Sequence, residues 1–240
     1  MIKYVFFDLD GTLLPMDQEV FAKGYFKGLA GYAASLGLDP MKVMEGLKVS
    51  LGYMTQSDST ISNEDAFWKT FLPYSGGTQD DLISKFEIFY RTKFPEVVAA
   101  TCGFNPKASE AIKILKDKNY KLYCLTNPLF PKLATAARVK HAGLNFEDFE
   151  EVTTYENYHA CKPSLEYYKE VMTKFGIKSD ECLMVGNDMS EDAVVMELGI
   201  PVYIVTDDLI NRENKDMSSV QHGNFDELLE FLANLPIVEA

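Results

Sequence analysis

The sequence contains little of what several classes of protein require. Its 240 residues include only four cysteines and three histidines, and no two cysteines form a C-x-x-C pair. A chain of this length has little need of disulfides, so we expect reduced thiols, with Cys124 and Cys182 buried inside apolar runs. No stretch approaches the roughly 18 consecutive apolar residues that a membrane span requires. We therefore expect a cytoplasmic protein.

Positive charge is also scarce. Twenty-three Lys and Arg residues stand against 36 Asp and Glu residues, which gives a formal net charge of −13. This sign opposes binding to nucleic acid polymers and to anionic membranes, because both attract basic proteins. An anionic ligand therefore has to be small and held locally, by a metal ion or by a few donors. The oligomeric state is left open.

Four short apolar runs are typical of strands that are buried on both faces of a sheet. They span residues 3–8, 121–125, 181–185 and 202–205. Helical periodicity separates these runs, over residues 106–119, 164–175 and 190–198. The alternation predicts an α/β fold, a doubly wound (Rossmann-like) and mostly parallel sheet covered by helices.

Between residues 16 and 98 the pattern changes to helical periodicity without a convincing buried strand. This section holds the single tryptophan, Trp68, and much of the aromatic content. Its aromatic residues are typical of helices that pack on each other, and some of them are candidates for facing a substrate cleft. The sequence thus predicts an α/β core formed by residues 1–15 and 99–240 and an all-helical domain formed by residues 16–98.

Two aspartates, Asp8 and Asp10, stand where the first strand ends. The carboxyl ends of strands in an open parallel sheet face the crevice where ligands bind. Alternation along the strand places both carboxylates on one side, and Gly11 lets the chain turn out of the sheet. An Asp-Gly pair alone is typical of a solvated turn. An acid directly after four apolar residues favours a functional site instead.

A second acidic pair, Asp188 and Asp192, follows the third apolar run. Acids at a helix start also complement the helix dipole. If this strand neighbours the first, however, four carboxylates converge, and two unit charges 4 Å apart repel by about 4 kcal/mol at an effective dielectric of 20. Such a cluster needs protonation, hydrogen bonds or a cation. Oxygen ligands without histidine or cysteine favour a hard ion, and Mg²⁺ fits an open site.

Two more segments carry polar groups at the ends of predicted elements. Thr126 and Asn127 follow the second strand, where a hydroxyl and neighbouring amides can hold phosphoryl oxygens, although Thr-Asn-Pro alone is only a turn. Lys162 lies just ahead of a helix that begins at Pro163. It is either a solvated surface charge or, beside a carboxylate cluster, a group that balances charge and holds a phosphate oxygen.

These segments, in this order, resemble the haloacid dehalogenase (HAD) superfamily of hydrolases. The matching positions are residues 8–12, Thr126, Lys162 and residues 186–192. The resemblance implies the phosphatase branch, with a helical cap inserted between the first and second motifs. Only 35 residues separate Thr126 from Lys162, too few for the α/β cap that other branches carry there.

The resemblance also implies roles for the motif residues. Asp8 is the expected nucleophile, which becomes an aspartyl-phosphate, and Asp10 is the expected general acid and base. Dehalogenases typically lack an aspartate two positions after the nucleophile, so Asp10 argues against carbon–halogen chemistry. Thr126 and Asn127 are expected to bind the phosphoryl group. Lys162 is expected to orient Asp8 as well as bind phosphate.

The metal implied by the resemblance is Mg²⁺. Its expected ligands are Asp8, Asp10 and Asp188, with Asp192 as a supporting or water-mediated ligand. Asn187 stands where many relatives have the first acid of this motif. The four-residue spacing to Asp192 aligns Asp188 with that acid.

The leading hypothesis is therefore an Mg²⁺-dependent phosphatase acting on a small phosphorylated metabolite. A phosphomutase uses the same aspartyl-phosphate and passes it to a second sugar hydroxyl, so it remains an alternative. A non-catalytic regulator that accepts phosphate is a third. Basic residues of the insertion, namely Lys23, Lys48 and Arg91, are candidates for contacting a second anionic group.

Overall fold

The core of the protein is a sheet of six parallel strands in a computed structural model that describes residues 1–57 and 59–239. The strands are β1 (Tyr4–Phe7), β2 (Lys121–Cys124), β3 (Glu151–Val152), β4 (Cys182–Gly186), β5 (Val202–Val205) and β6 (Gln221–Gly223). Their order is β3-β2-β1-β4-β5-β6, and every pair is parallel. The predicted doubly wound α/β fold is confirmed.

Nine α-helices surround or extend this sheet within the described residues. They are α1 (Gln18–Ser35), α2 (Pro40–Thr55), α3 (Asn63–Ser75), α4 (Gln79–Thr92), α5 (Phe94–Thr101), α6 (Lys107–Asp117), α7 (Lys132–His141), α8 (Leu165–Phe175) and α9 (Phe225–Asn234). Three short 3₁₀ helices span Phe146–Asp148, Ser179–Glu181 and Ala193–Leu198. None of these helices is long and apolar enough to cross a membrane.

One predicted helix differs from the structure. The periodicity over residues 190–198 predicts a helix, but the observed element is a 3₁₀ helix that begins only at Ala193. Asp188 explains the late start, since its side chain accepts hydrogen bonds from the amides of Ser190 and Glu191. A side chain that captures nearby amides in this way competes with regular helix formation.

The central strands are buried on both faces, as their composition predicts. Val5, Phe6 and Phe7 of β1 are fully inaccessible to solvent. Val5 and Phe7 pack into an apolar cluster on one face of the sheet, and Phe6 packs into a second cluster on the other. This burial fixes the register of β1 and so determines where Asp8 leaves the sheet.

The thiols follow the sequence prediction. All four cysteines are free, and Cys124, Cys161 and Cys182 are buried. Burial also raises the pKa of each of these three thiols, which favours the neutral form.

Helices α1 to α5 form the insertion, and no described residue between α1 and α5 lies in a strand. The chain enters and leaves the insertion at adjacent points, since Met16 forms an antiparallel bridge with Cys102. Beside it, the amide of Gly103 donates to the carbonyl oxygen of Pro15 at 2.8 Å. The predicted boundary at residue 98 falls inside α5. The division into two domains stays a prediction, and we propose residue 102 as its second boundary.

Candidate active site

The sheet order brings three of the four sequence motifs side by side. Asp8 directly follows β1, Thr126 lies two residues after β2, and Asp188 lies two residues after β4. Because β1 lies between β2 and β4, all three segments meet at the carboxyl edge of the central strands. The amide of Asp8 continues the ladder by donating to the carbonyl oxygen of Val185 at 2.9 Å. This edge is where open parallel sheets bind ligands.

Lys162, the third motif, reaches this edge from the loop before α8. Its side chain is wholly buried, and Nζ donates to Asp8 Oδ1 at 2.8 Å and to Asp192 Oδ1 at 2.6 Å. Burial by itself lowers the pKa of Lys162, but the Asp192 and Asp8 carboxylates outweigh it and hold the pKa well above its usual range. The ammonium therefore stays charged and links the first motif to the fourth.

Asp8 has one oxygen fixed and one oxygen available. Lys162 holds Oδ1, whereas among the described residues Oδ2 accepts only a long contact of 3.4 Å from the Thr12 hydroxyl. Burial raises the pKa of Asp8 to about 8, against the opposing effect of Lys162 and with a smaller rise from Asp192 and Asp10. A cation beside Oδ2 would favour the ionised form, which is the nucleophilic form.

Asp10 has a different partner. Its Oδ2 accepts hydrogen bonds from Arg138 Nη1, in an ion pair, and from the Thr126 hydroxyl at 3.3 Å. Its Oδ1 is buried and has no hydrogen-bond partner among residues 1–57 and 59–239. Since buried polar atoms are normally paired, this oxygen is the one free to act on a bound molecule.

The sequence analysis missed Arg138. Its side chain is 2% exposed, and its guanidinium lies over the Phe130 ring, 4.6 Å from the centroid. The available signal was its position on the buried face of α7, together with Ala134, Thr135 and Val139. An arginine on such a face needs a carboxylate or a ligand, because a buried charge is costly without a partner.

The loop after β4 is organised by the two acids of the fourth motif. Asp188 Oδ1 accepts from the amides of Ser190 and Glu191 at 2.6 and 3.0 Å, and Asp188 Oδ2 accepts no hydrogen bond from the described residues. Asp192 Oδ2 accepts from the amides of Asn187 and Asp188, each at 3.0 Å. Both oxygens of Asp192 are therefore engaged, since Oδ1 already pairs with Lys162.

This close packing around Asp192 explains the glycine in the fourth motif. A Cβ atom added to Gly186 would lie 2.2 Å from Asp192 Oδ2. Any other residue at this position would therefore displace the carboxylate that holds Lys162.

Asn187, the departure from the family pattern, links the first motif to the fourth. Its Oδ1 accepts from the Thr12 hydroxyl at 3.2 Å, and its Nδ2 donates to the carbonyl oxygen of Asp208 at 2.7 Å. Gly11 adopts a left-handed φ of +91°, and a Cβ there would lie 2.1 Å from Asn187 Nδ2. The turn after Asp10 therefore requires glycine for two reasons, its tolerance of a left-handed φ and its lack of a Cβ atom.

Asn127 lies between the second, third and fourth motifs. Its Nδ2 donates to the carbonyl oxygen of Lys162 at 3.4 Å and to the carboxylate of Glu191 at 3.3 Å. Its Oδ1 is buried and accepts no hydrogen bond in the described part of the chain. This arrangement fixes the loop that carries Thr126.

The oxygen atoms left open at the site fit a hard cation. The residues that the structure describes contain no ready-made group of three or more His, Cys, Asp or Glu side chains around a metal position. Asp8 Oδ2 and Asp188 Oδ2 nevertheless stay largely without hydrogen bonds at the same edge of the sheet. Mg²⁺ is commonly held by one or two carboxylates, with waters and substrate phosphate completing its octahedron. The donor set is compatible with that ion.

Comparison with known proteins assigns the family. Residues 2–197 match the model of the haloacid dehalogenase-like hydrolases, and the chain belongs to this family. It is similar to the glyceraldehyde 3-phosphate phosphatase of Methanothermobacter thermautotrophicus, at 26% identity over 216 residues that cover 89% of each chain.

Two solved structures with a similar fold belong to enzymes named for different reactions. A HAD phosphatase from Thermococcus onnurineus has a TM-score of 0.58 at 20% identity, covering 99% of this chain and all of its own. The L-2-haloacid dehalogenase of Xanthobacter autotrophicus has a TM-score of 0.52 at 18% identity, covering 100% of this chain and 90% of its own. Since one fold serves both chemistries, the activity has to be argued from the site.

Proposed function

We propose that this hydrolase is an Mg²⁺-dependent phosphatase that cleaves a small phosphomonoester. The observation that carries the proposal is the different state of the two aspartates after β1. Asp8 is fixed by Lys162 through one oxygen and leaves the other open, whereas Asp10 leaves a buried oxygen without any partner among the described residues. One acid is thus arranged to attack phosphorus and the other to transfer a proton.

The reaction proceeds in two displacements on the Asp8 carboxylate. Oδ2 of Asp8 forms a bond to phosphorus while the bond from phosphorus to the leaving oxygen breaks, and Asp10 gives its proton to that oxygen. A water then attacks the aspartyl-phosphate, Asp10 takes a proton from this water, and the bond to Asp8 breaks. The products are an alcohol and inorganic phosphate, and both acids return to their starting states.

The remaining motif residues bind and neutralise the transferring group. The Thr126 hydroxyl, the loop that Asn127 fixes and the Lys162 ammonium surround the position where phosphoryl oxygens would lie. Asp188 would hold Mg²⁺ through its open Oδ2, together with the backbone oxygen of Asp10 and the Asp8 carboxylate oxygen that does not attack phosphorus. When bound, the ion would neutralise charge on the phosphoryl group.

Asp192 has a supporting role in this proposal. Both of its oxygens are engaged, by Lys162 and by two backbone amides. It therefore acts by holding Lys162 and the loop of Asp188, and any contribution to the metal passes through water.

The proposed substrate class rests on the net charge of the protein and on its similarity to a known phosphatase. A net charge of −13 opposes nucleic acid polymers, and a similar protein is a glyceraldehyde 3-phosphate phosphatase. Both support a small phosphorylated metabolite as the substrate.

The test is phosphate release by wild type and Asp8→Asn, with Mg²⁺ and with EDTA. We expect Asp8→Asn to abolish turnover while the circular dichroism spectrum is retained, because the amide is a poor nucleophile. EDTA should also abolish turnover. Asp117→Asn, an exposed acid paired with Lys113, is the control and should keep wild-type activity. Wild-type turnover by Asp8→Asn would overturn the assigned nucleophile.

The same assay separates the two alternatives. A phosphomutase would convert a hexose 1-phosphate to the 6-phosphate without releasing phosphate. A non-catalytic regulator would accumulate as a long-lived phosphoprotein. No feature of the described site favours either over hydrolysis.

A further inference from the structure

A chamber of about 130 Å³ lies between helices α1 to α4 and the loops after β2 and β3. Its walls are mostly aromatic and aliphatic. The rings that line it include Phe67, Trp68, Phe71, Phe86, Phe130 and Tyr155. An apolar cavity of this kind favours an apolar occupant, and a cavity of roughly 150 Å³ accepts benzene.

The chamber adjoins the catalytic edge of the sheet. Phe130, which lines it, lies against the guanidinium of Arg138, and Arg138 is paired with Asp10. One side chain therefore separates the chamber wall from the acid that protonates the leaving group in the proposed reaction.

Helix α3 ties the chamber to two of the catalytic loops. Asn63, at the start of α3, is fully buried. Its Nδ2 donates to the carbonyl oxygens of Pro128, at 3.4 Å, and Ala160, at 3.2 Å. These carbonyls lie two residues after Thr126 and two residues before Lys162. The helix that carries Phe67, Trp68 and Phe71 is thereby fixed to the loops that bind the phosphoryl group.

The charged residues at the chamber are all acidic. Glu64, Glu87 and Glu156 line it, and no Lys, Arg or His of the described chain does. Burial raises the pKa of Glu64, and the neighbouring Glu156 raises it further. The chamber thus disfavours a second negative charge. Lys23, Lys48 and Arg91, the basic candidates from the sequence, are all exposed and do not line it.

We infer that this chamber binds the leaving group of the substrate, and that this group is apolar, about the size of a benzene ring and without negative charge. The inference rests on the proposed phosphatase function and narrows its substrate class. It places carboxylated and bisphosphorylated metabolites among the poor substrates.

The first test compares alkyl phosphates with leaving alcohols of similar acidity, using the wild-type protein with Mg²⁺. Benzyl phosphate fills the chamber, glycerol 1-phosphate is polar, phosphoglycolate is anionic, and methyl phosphate does not reach the chamber. We expect kcat/KM for benzyl phosphate to exceed that for glycerol 1-phosphate by about tenfold or more, from burial of the ring. Phosphoglycolate should be poorer than glycerol 1-phosphate.

The second test fills the chamber. Leu51 of α2 lines the chamber, and a tryptophan at this position would occupy it. Leu51→Trp should therefore lower kcat/KM for benzyl phosphate by about tenfold, because the ring of the substrate is no longer buried. Turnover of methyl phosphate, which does not reach the chamber, should fall far less, so the ratio of the two kcat/KM values measures the effect of filling the chamber. Val49→Trp, on the same helix but exposed, is the matched control and should change neither.

The third test changes the charge. Glu64→Gln should raise kcat/KM for 4-carboxybenzyl phosphate about fivefold more than it changes kcat/KM for benzyl phosphate, because it removes a like charge from the chamber wall. Glu110→Gln, also an acid in the first turn of a helix, is the control.

The outcomes separate the inference from the proposed function. If methyl, benzyl and 4-nitrophenyl phosphate all release no phosphate, the phosphatase proposal itself fails. If benzyl phosphate and glycerol 1-phosphate are hydrolysed with equal kcat/KM, or phosphoglycolate is preferred, the chamber inference is overturned and the phosphatase stands. The first comparison needs no variant, so it decides the inference even where Leu51→Trp does not fold.

Discussion

Lys162 and Arg138 hold the two aspartates of the first motif in different ways. Lys162 is shared between Asp8 and Asp192, whereas Arg138 is paired with Asp10 alone among the carboxylates of the described residues. In the proposed reaction Arg138 is a positioning residue, since it holds one oxygen of Asp10 and leaves the other free for the proton.

This role predicts a loss that depends on the leaving group. Arg138→Met should lower kcat for benzyl phosphate by about 100-fold, because general acid catalysis contributes at least that much. The loss on 4-nitrophenyl phosphate, whose leaving group needs no proton, should be about tenfold smaller. Steady-state kinetics on both substrates measures the difference, with Arg91→Met, an exposed arginine, as control.

A purely structural role of Arg138 would lower both rates equally, and that result would contradict the prediction. Urea unfolding of each variant is needed beside the kinetics, because breaking a buried ion pair costs about 3–5 kcal/mol. Arg138→Lys retains the charge and should recover part of the loss on benzyl phosphate.

The raised pKa of Asp8 predicts a pH dependence of stability without metal. Burial raises this pKa to about 8, whereas an aspartate in the unfolded chain has a pKa of about 3.9. The native state therefore binds more protons than the unfolded state between these values, and the free energy of unfolding decreases as the pH rises from about 4 to about 8. Urea unfolding in EDTA should show this decrease in wild type and less of it in Asp8→Asn. Identical pH profiles would contradict the assignment, and Mg²⁺ should flatten the wild-type profile.

The Asn63 side chain is one of the contacts that connect helix α3 of the insertion to the core. Asn63→Ala removes both hydrogen bonds from its Nδ2 to the carbonyl oxygens of Pro128 and Ala160. We expect the free energy of unfolding to fall by about 1–3 kcal/mol, because these buried acceptors lose a partner. KM for benzyl phosphate should rise as well, since α3 carries the chamber wall.

Urea unfolding and steady-state kinetics measure the two effects of Asn63→Ala. Asn234→Ala, an exposed asparagine that also bonds a carbonyl oxygen, is the control and should change neither quantity. A loss of stability with an unchanged KM would show that α3 does not orient the chamber.

The sequence predicts elements well where burial alone selects them. The four apolar runs match β1, β2, β4 and β5 to within a few residues, because buried parallel strands carry side chains that no other element favours. Strands β3 and β6 went unpredicted, since they span only two and three residues and carry polar side chains. The helix over residues 190–198 was wrong in its start and type, because Asp188 captures the amides that would begin it.

In the candidate site, residues next to a predicted strand can be identified from the sequence, whereas contacts between distant parts of the chain cannot. Asp8, Thr126 and Asp188 were predictable because each follows a strand within two residues. Arg138 was not, since it lies 128 residues from Asp10 along the chain and only folding brings them together. For the chamber, the sequence predicts only that some aromatic residues of the insertion face a cleft. Helical periodicity does not show which apolar faces pack against each other and which line a cavity.

The charge of the whole protein predicts how salt affects catalysis. A net charge of −13 repels a dianionic phosphomonoester on approach. Salt screens this repulsion, so kcat/KM should rise about two- to threefold between about 20 and 200 mM KCl, while kcat stays constant. Steady-state kinetics at constant Mg²⁺ checks it. A falling kcat/KM would indicate that local positive charge governs substrate entry.

The shortness of the two outer strands has a consequence for self-association. A strand from a second molecule that added to β3 or β6 would find only two or three residues to pair with, whereas β4 offers five. Exposed sheet edges are the usual starting point for aggregation, and very short edge strands protect against it. Any stable contact between copies of this protein would therefore have to use surfaces other than these two sheet edges.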